Sequence, residues 1–430
     1  MAEFTNELMK WLSGGHSPWH TVDMAAHWLT VLTGIMRLRA TLASSCALNR
    51  PFSVRRGGRY FVENGTFLAA VTVGQKDVIR IAAAHTDWPC MRIKPQPELI
   101  SGGCCRLSVE PYGGAILNTW LDRPLGLAGV VLLRTADPMQ PERRLISWDE
   151  PVMVIPNVAI HMNREVNKGV PYKANVDMLP ICRTVQGEFE KNGYLVRQLA
   201  KRLQVQPEDV LSFELCAYCC AEPTLLGFEQ DILSSPRLDN LSSVHACLQG
   251  LADAQGDGIN VAVEPDAAAA AALASAFWKI CARRAEHLAA DRGSGSFRTA
   301  LLDACLNGML LSCDAAHAMH PNHPEYADFS CAPVLGGGVA LKRSPRYSSD
   351  AETCAVIQGL CDANQIPLQI YMNRADLPGG STVGSMASSL LAMPAADIGV
   401  PILAMHSACE TMGAADQDAF VRLCTAFFQA

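Results

Sequence analysis

The N-terminal part of the chain changes from a helical to a strand-like pattern of apolar positions. Between 7 and 48, apolar residues recur at helical spacing with few helix-breaking residues between them, which predicts helical structure. Residues 59–84 contain apolar runs joined by an Asn-Gly pair, a strong signal for a β-hairpin. The apolar run that follows predicts a buried strand that ends in the polar residues His85 and Asp87.

The rest of the chain divides into a strand-rich segment and a segment in which helix and strand patterns alternate. From about 96 to 230, short β-like runs are separated by Pro and Gly turns. Beyond about 232, strand patterns at 259–263, 308–318, 366–376 and 401–408 alternate with helical patterns at 241–254 and 267–290. This alternation predicts an α/β sheet with functional residues at the strand ends. We therefore expect a discontinuous domain, residues 1–95 and 231–430, and an inserted, mostly β domain, residues 96–230.

Composition and charge exclude several classes of protein without naming a function. With 430 residues, 49% hydrophobic and 18% charged, the chain is neither disordered nor fibrous. Its 35 Lys and Arg and 42 Asp and Glu give a net charge of −7, and no basic block indicates a nucleic-acid partner. No apolar run approaches the ~18 residues of a membrane span, and the N-terminus does not resemble a signal peptide. We expect a cytoplasmic protein with no membrane partner.

Cysteine is frequent, and one segment has a spacing known from metal and redox sites. The chain has 17 Cys, and CAYCC at 216–220 contains Cys-x-x-Cys. A zinc ribbon would need a second such pair, which the sequence lacks. A thioredoxin-like redox site is an alternative, but we expect buried free thiols that behave as small apolar side chains.

Four segments share one arrangement, an apolar strand that ends in a side chain able to bind a metal ion. They end in His85 with Asp87, in Asp239, in Asp314 and in His406. Imidazole and carboxylate groups suit zinc, and two neighbouring zinc ions need a bridging carboxylate with terminal ligands on each side. In such a site His85 and His406 would be terminal ligands, Asp239 would bridge and Asp314 would complete one ion. Asp87 would orient the His85 imidazole.

Other polar residues near these segments are weaker candidates. His317, His320 and His323 follow Asp314 and are interpreted as surface or supporting residues. Glu410 lies four residues after His406 and would share a helical face with it, which makes it a fallback carboxylate.

Seven segments spread over almost the whole chain match the motifs of one enzyme family. They are AAAHTDWPCMRIKPQPE (82–98), VEPYGGAILNTWLDRPLGLAG (109–129), VIPNVAIHMNREVNKG (154–169), SSPRLDNLSS (234–243), SCDAAHAMHPNHPE (312–325), DLPGGSTVGSMAS (376–388) and DIGVPILAMHSACE (397–410). In this order they resemble the M18 metalloaminopeptidases, the aspartyl aminopeptidase family.

The resemblance implies an α/β fold with a mixed-sheet zinc-peptidase catalytic domain and an inserted β domain for oligomerisation or substrate capping. It implies the metal ligands His85, Asp239, Asp314 and His406, with Asp87 beside them. The implied cofactor is Zn²⁺, one or two ions per subunit, with Mn²⁺ or Co²⁺ able to substitute.

The resemblance also implies residues that contact a peptide substrate. His161 matches a family histidine near the substrate, which is sometimes a metal ligand and can come from a neighbouring subunit. Lys342 and Asp376 match positions that line the substrate pocket, where a basic residue suits an acidic N-terminal side chain. Family members form closed homo-oligomers, commonly dodecamers, so we expect a homo-oligomer.

The segment after the strand at 259–263 departs from the family pattern. The family continues into Asp-x-Glu-Glu-x-Gly-Ser, in which the first Glu is the general base and the second a metal ligand, whereas this chain has EPDAAAAAA. Three interpretations remain open. Glu264 replaces the metal ligand and no base is left; Glu264 or Asp266 takes the base role; or both roles are lost and Ala267–Ala272 extend a helix that Asp266 caps.

Two functions from different classes follow. The leading hypothesis is a zinc-dependent aminopeptidase that removes N-terminal, preferably Asp or Glu, residues, with Asp87 and Glu264 as catalytic residues. The alternative is a catalytically impaired homologue that binds peptides or acts in assembly, because a positioned general base typically contributes about 10²–10⁴-fold to a rate.

Overall fold

The computed structural model describes residues 3–33, 35–37, 59–76, 78–266, 303–377, 380, 384 and 393–430. The helices in these ranges are α1 (Glu3–Gly14), α2 (Pro18–Leu32), α3 (Ala174–Asp177), α4 (Tyr194–Leu203), α5 (Leu238–Asp253), α6 (Ala351–Asn364) and α7 (Asp416–Gln429). The strands are β1 (Met36–Arg37), β2 (Arg59–Asn64), β3 (Phe67–Val73), β4 (Ile79–Ala83), β5 (Cys90–Ser101), β6 (Cys104–Tyr112), β7 (Pro124–Leu133), β8 (Glu142–Ser147), β9 (Met153–Val154), β10 (Ile181–Thr184), β11 (Val210–Cys219), β12 (Thr224–Leu226), β13 (Ile232–Ser235), β14 (Ile259–Glu264), β15 (Met309–Cys313), β16 (Ala316–His317), β17 (Val339–Lys342), β18 (Leu368–Tyr371), β19 (Ala395–Gly399), β20 (Pro401–Leu403) and β21 (Glu410–Gly413).

The largest sheet is mixed and has nine strands, in the order β1-β2-β3-β14-β4-β15-β19-β17-β18. Two of the predicted ligand residues, His85 and Asp314, follow its strands β4 and β15. Strands β14, β4, β15 and β19 run parallel to their neighbours, whereas β3 and β17 pair antiparallel to them. Every residue of β14, β15 and β19 is buried, as is typical of strands in the middle of an α/β sheet. The carboxyl ends of β14, β4 and β15 therefore meet at one sheet edge, which confirms the predicted α/β class and mixed sheet.

A seven-stranded sheet forms a closed barrel. Its order is β11-β5-β6-β10-β9-β7-β8, and β11 also pairs with β7 over most of its length, which closes the ring through β7, while β8 pairs with the far end of β7. Gly129 makes this closure possible: its φ is +155°, and an added Cβ would lie 2.0 Å from the carbonyl oxygen of Glu214 on β11. The predicted domain boundaries at 96 and 230 stay predictions, and β5 runs across the first of them.

A small five-stranded sheet, β12-β13-β21-β20-β16, lies beside the core helices α5 and α7. Thirteen of the 16 residues of α5 are buried, because the helix packs between α7, α1 and the large sheet. The central position of α5 fixes its first turn, where Asp239 lies, against the edge of that sheet.

Two sequence predictions differ from the structure in extent. The helical pattern predicted between 7 and 48 breaks after Gly14, and α2 starts anew with Ser17 as its N-cap and Pro18 at its first position. The strand predicted at 401–408 ends at Leu403, because Ala404 and His406 both adopt positive φ, 56° and 68°. The predicted helix at 267–290 lies outside the described residues.

Candidate metal centre

Four chain segments deliver the predicted ligands to one place. His85 follows β4 and Asp314 follows β15, so both extend from the same edge of the large sheet. Asp239 lies in the first turn of α5 with non-helical torsions, φ −83° and ψ 105°. His406 lies in the tight turn between β20 and β21.

Asp239 stands between the two histidines. Its Oδ1 lies 3.5 Å from Nε2 of His85, and its Oδ2 lies 3.3 Å from Nε2 of His406. Asp314 Oδ1 lies 3.5 Å from the same His85 Nε2. The two oxygens of one carboxylate thus face two imidazoles, which is the arrangement required of a ligand that bridges two metal ions.

The far side of each imidazole faces a backbone carbonyl group. Nδ1 of His85 lies 2.9 Å from the carbonyl oxygen of Asp87, and Nδ1 of His406 lies 3.3 Å from that of Gly114. A carbonyl oxygen only accepts, so each Nδ1 carries a proton and each Nε2 is directed at the carboxylates. A second proton or a metal ion must then lie between each Nε2 and the carboxylate oxygens.

Without a metal ion, the pKa values of His85, His406 and Asp239 change in the direction that favours positively charged histidines beside a negatively charged carboxylate. Burial lowers the pKa of His85, but its interactions with the nearby Asp239, Asp314 and Asp87 side chains outweigh it and hold this pKa well above its usual value. The hydrogen bond to Asp239 likewise raises the pKa of His406. Burial opposes ionisation of Asp239, yet its two histidine neighbours lower its pKa.

These residues fit a metal centre. Oδ1 of Asp239 is buried and has no hydrogen-bond partner among the described residues, which is costly unless a ligand occupies that side. Two imidazole nitrogens and the oxygens of two carboxylates form a hard-to-borderline donor set that suits Zn²⁺.

Glu410 ties two ligand segments together from behind. Its Oε2 accepts the backbone N–H of Asp239 at 2.9 Å, and its Oε1 accepts that of His406 at 2.8 Å. The side chain is buried; burial and the charge of Asp239 raise its pKa, while these N–H groups act in the opposite direction. Glu410 therefore holds the backbone of Asp239 and that of His406 in place, and its role as a fallback carboxylate stays a prediction.

A cavity of about 490 Å³ opens in front of the centre. Lys342, His317 and Tyr347 line it together with the four ligand residues. Nζ of Lys342 donates to the carbonyl oxygen of Ala315 at 2.8 Å and lies 3.9 Å from Oδ2 of Asp314. The cavity thus has a buried lysine on its wall next to Asp314, one of the candidate ligands.

His317, interpreted from the sequence as a surface or supporting residue, is exposed and lines the cavity. Desolvation, followed by the charge of Lys342, lowers its pKa. The sequence signal that could have placed His317 in the cavity was its position three residues after Asp314. In the structure it lies in β16, which pairs with β20, the strand that precedes His406.

Three predicted site residues are not among those that line the cavity of their own chain. His161 is exposed in a turn of the barrel segment. Asp376 pairs with the guanidinium group of Arg374, at 2.6 Å from Nε. Glu264, the last residue of β14, is 1% exposed, and neither of its carboxyl oxygens has a hydrogen-bond partner among the described residues.

Asp266 and Glu264 each interact electrostatically with one cavity residue, Asp266 with Tyr112 and Glu264 with His85. The hydroxyl group of Tyr112 donates to Oδ2 of Asp87. Burial, followed by Asp87, raises the pKa of Tyr112, so the phenol keeps its proton. The segment Ala267–Ala272 lies outside the described residues.

The CAYCC segment contains no disulfide. Cys216 and Cys219 are buried, Cys220 is half-buried, and all three are free thiols. The prediction of free thiols is confirmed for these residues.

No helix in the described ranges combines the length and apolar character that a bilayer crossing needs.

Comparison with known proteins identifies the family. Residues 11–428 match the model of the family described as aminopeptidase I zinc metalloprotease (M18). A probable M18 family aminopeptidase 2 of Clostridium novyi is 35% identical over 425 residues, covering 96% of each chain. The cryo-EM structure of the Ape4 and Nbr1 complex superposes with a TM-score of 0.88 at 26% identity, covering 99% of this chain and 85% of that one. The mApe1 dodecamer of S. cerevisiae has a TM-score of 0.77 at 21% identity, covering 99% and 96%. The chain belongs to the M18 family of zinc metalloaminopeptidases.

Proposed function

We propose that this protein removes N-terminal residues from peptides with two zinc ions held by His85, Asp239, Asp314 and His406. The observation that carries the proposal is the Asp239 carboxylate, whose two oxygens face two histidine Nε2 atoms at 3.5 and 3.3 Å. Mn²⁺ or Co²⁺ would be accepted by the same nitrogen and oxygen donors.

The bound ions supply Lewis acidity and lower the pKa of a bound water. The protein's own residues provide geometry. Asp87 and its partner Tyr112 hold the His85 side of the centre, and Glu410 fixes the backbone of Asp239 and His406. The cavity walls exclude bulk water from the scissile peptide bond.

A general base is needed to take the proton of the attacking water. Glu264 is buried and is not among the residues that line the cavity, whereas Asp266 acts electrostatically on the cavity residue Tyr112. We favour Asp266 for the base role, and the burial of Glu264 favours a supporting one.

Lys342 would select the substrate. A buried ammonium group on the cavity wall attracts a carboxylate at the side chain of the N-terminal residue, since charge-assisted hydrogen bonds are strong where water is excluded. The expected preference is for Asp or Glu at the N-terminus of the peptide.

A second function is a peptide-binding homologue with impaired catalysis. The specific observation in its favour is the burial of Glu264, the last residue of β14, which is not among the residues that line the cavity. In that case the metal centre and Lys342 would bind peptides without turning them over.

Oligomerisation would complete the site. Val158, Ile160 and Met162 are exposed around His161, with 52, 47 and 83% of their surface accessible. Exposed apolar side chains of this kind favour a subunit interface, at which His161 would approach the cavity of a neighbouring subunit. A dodecamer, as in the S. cerevisiae relative, and a cytoplasmic location are the expected state.

The test is cleavage of peptides that begin with Asp, Glu, Leu or Ala by purified protein, with added Zn²⁺, Mn²⁺ or Co²⁺. Metal-dependent cleavage is expected to disappear in Asp239→Ala and to persist in Asp253→Ala, a change on the exposed end of the same helix. Metal-loaded, folded protein that binds these peptides without cleaving them would instead establish the impaired homologue.

A further inference from the structure

Three buried thiols form a second cluster of metal-binding side chains behind the co-catalytic centre. They belong to Cys247, Cys313 and Cys424, and their sulfur atoms all lie within 4.8 Å of one another. All three side chains are buried. No other function described for this protein uses them.

Three different elements deliver these thiols. Cys247 lies on α5, Cys313 is the last residue of β15, and Cys424 lies on α7. The helices α5 and α7 pack tightly against each other, and α5 also contacts β15. The cluster therefore sits where two core helices meet the large sheet, and no sequence spacing would indicate it.

A buried carboxyl group lies near the same cluster. Glu264 ends β14, is 1% exposed, and both of its oxygens lack a hydrogen bond of good geometry among the described residues. It acts electrostatically on Cys247 and Cys313, while Cys424, His85 and the backbone N–H of Ala84 act on it. A buried carboxyl group with no well-formed hydrogen bond is costly, so a further group that satisfies it is expected here.

We propose that Cys247, Cys313 and Cys424 hold a thiophilic ion of the zinc class, and that the nearby Glu264 carboxylate, which is not a member of the 4.8 Å group, moves in to supply an oxygen donor on the fourth side. Thiolates and carboxylates are zinc ligands, and structural sites are closed to water by four protein donors. Binding releases the three thiol protons to solvent. The negative charge of this donor set lies next to the positive charge of the co-catalytic ions, since Cys313 directly precedes Asp314.

The ion would cross-link α5, β15 and α7 beneath the active site. It would differ from the co-catalytic ions because it has no contact with the cavity: none of its ligands is among the residues that line it. Its role is structural, and it enters while the core forms.

Cobalt spectroscopy separates this site from the co-catalytic centre. Thiolates bound to Co²⁺ give a sulfur-to-metal charge-transfer band in the near ultraviolet, which His and Asp ligands cannot give. Protein refolded with Co²⁺ is expected to show the band, in Asp239→Ala as well as in the unchanged chain. Zinc content should fall by about one ion per chain when the cluster is removed.

Two substitutions and one control complete the test. Cys424→Ala and Cys247→Ser are expected to lose the band, and Cys361→Ala, which removes a buried thiol of α6 outside the cluster, is expected to keep it. Absence of the band from folded, cobalt-loaded, unchanged protein would overturn the proposal without any variant. A band that survives in Cys247→Ser would also overturn it. Because the readout is the thiolate band, failure here leaves the aminopeptidase proposal intact.

Discussion

Glu410→Gln tests whether a buried carboxylate that binds no metal sets the affinity of the metal centre. Glu410 accepts the backbone N–H groups of Asp239 and His406 at 2.9 and 2.8 Å. Glutamine keeps the shape but turns one of its two oxygens into an N–H donor, which then faces another donor. One hydrogen bond is lost and one is weakened, which costs about 2–4 kcal/mol of the free energy of unfolding. Loss of the fixed ligand backbone is expected to weaken zinc binding roughly 10- to 100-fold.

Asp416→Asn is the matched control. Asp416 is fully buried and its two oxygens accept the backbone N–H groups of Gly336 and Gly338, each at 2.8 Å. The substitution makes the same chemical change far from any ligand, so stability should fall while zinc affinity stays constant. Zinc affinity is measured by competition with a chelator, and stability by urea unfolding of zinc-saturated protein. Equal zinc affinity in the two variants would refute the positioning role of Glu410.

Three further predictions concern specificity, barrel closure and pH. Lys342→Met should lower kcat/KM for peptides with N-terminal Asp relative to Leu by roughly 10- to 100-fold; an unchanged ratio would remove Lys342 from the specificity pocket. Gly129→Ala should cost about 2–4 kcal/mol of unfolding free energy because its Cβ meets the Glu214 carbonyl, whereas Gly102→Ala, with open space around it, should cost only about 1 kcal/mol. Burial lowers the pKa of His20 to about 4, so the unfolded chain binds the proton first and stability should fall as pH drops from about 6.5 towards 4. If the urea midpoint of His20→Gln fell as much over this pH range as that of the unchanged protein, the result would contradict the role of His20.

The residues after parallel strands were predictable from the sequence. His85 and Asp314 follow β4 and β15, which are neighbours in the sheet, so the rule that sites lie at strand ends was sufficient to bring them together. Asp239 and His406 follow less regular segments: a distorted first helical turn and a turn with positive φ. The shared pattern of an apolar run that ends in a metal-binding side chain suggested all four, and the resemblance to a family strengthened the link of Asp239 and His406 to the other two.

The orientation of Glu264 could not be predicted. Strand β14 is buried on both faces, so its residues do not alternate between apolar and polar, and the pattern carries no information on which way a given side chain points. The thiol cluster was hidden for another reason, since its members lie on three elements far apart in the sequence.

The sequence contains a signal for the break between α1 and α2. Ser17 and Pro18 are residues typical of a helix start. In the structure, Gly15 lies so close to Leu241 that a Cβ added at Gly15 would be 2.8 Å from Cδ1 of Leu241. Apolar periodicity outweighed this local signal because it continues on both sides of the break.

The loop that follows β6 limits how freely this molecule can be divided into parts. Tyr112, at the end of that barrel strand, donates to Asp87 beside His85, and Gly114, two residues later, offers its carbonyl oxygen to His406. One short stretch of the barrel thus supports both sides of the metal centre. A chimaera that exchanged the barrel for another insert would have to supply these two contacts anew. The barrel and the peptidase sheet are therefore expected to diverge in evolution as one coupled unit, with residues 112–114 as the constrained joint between them.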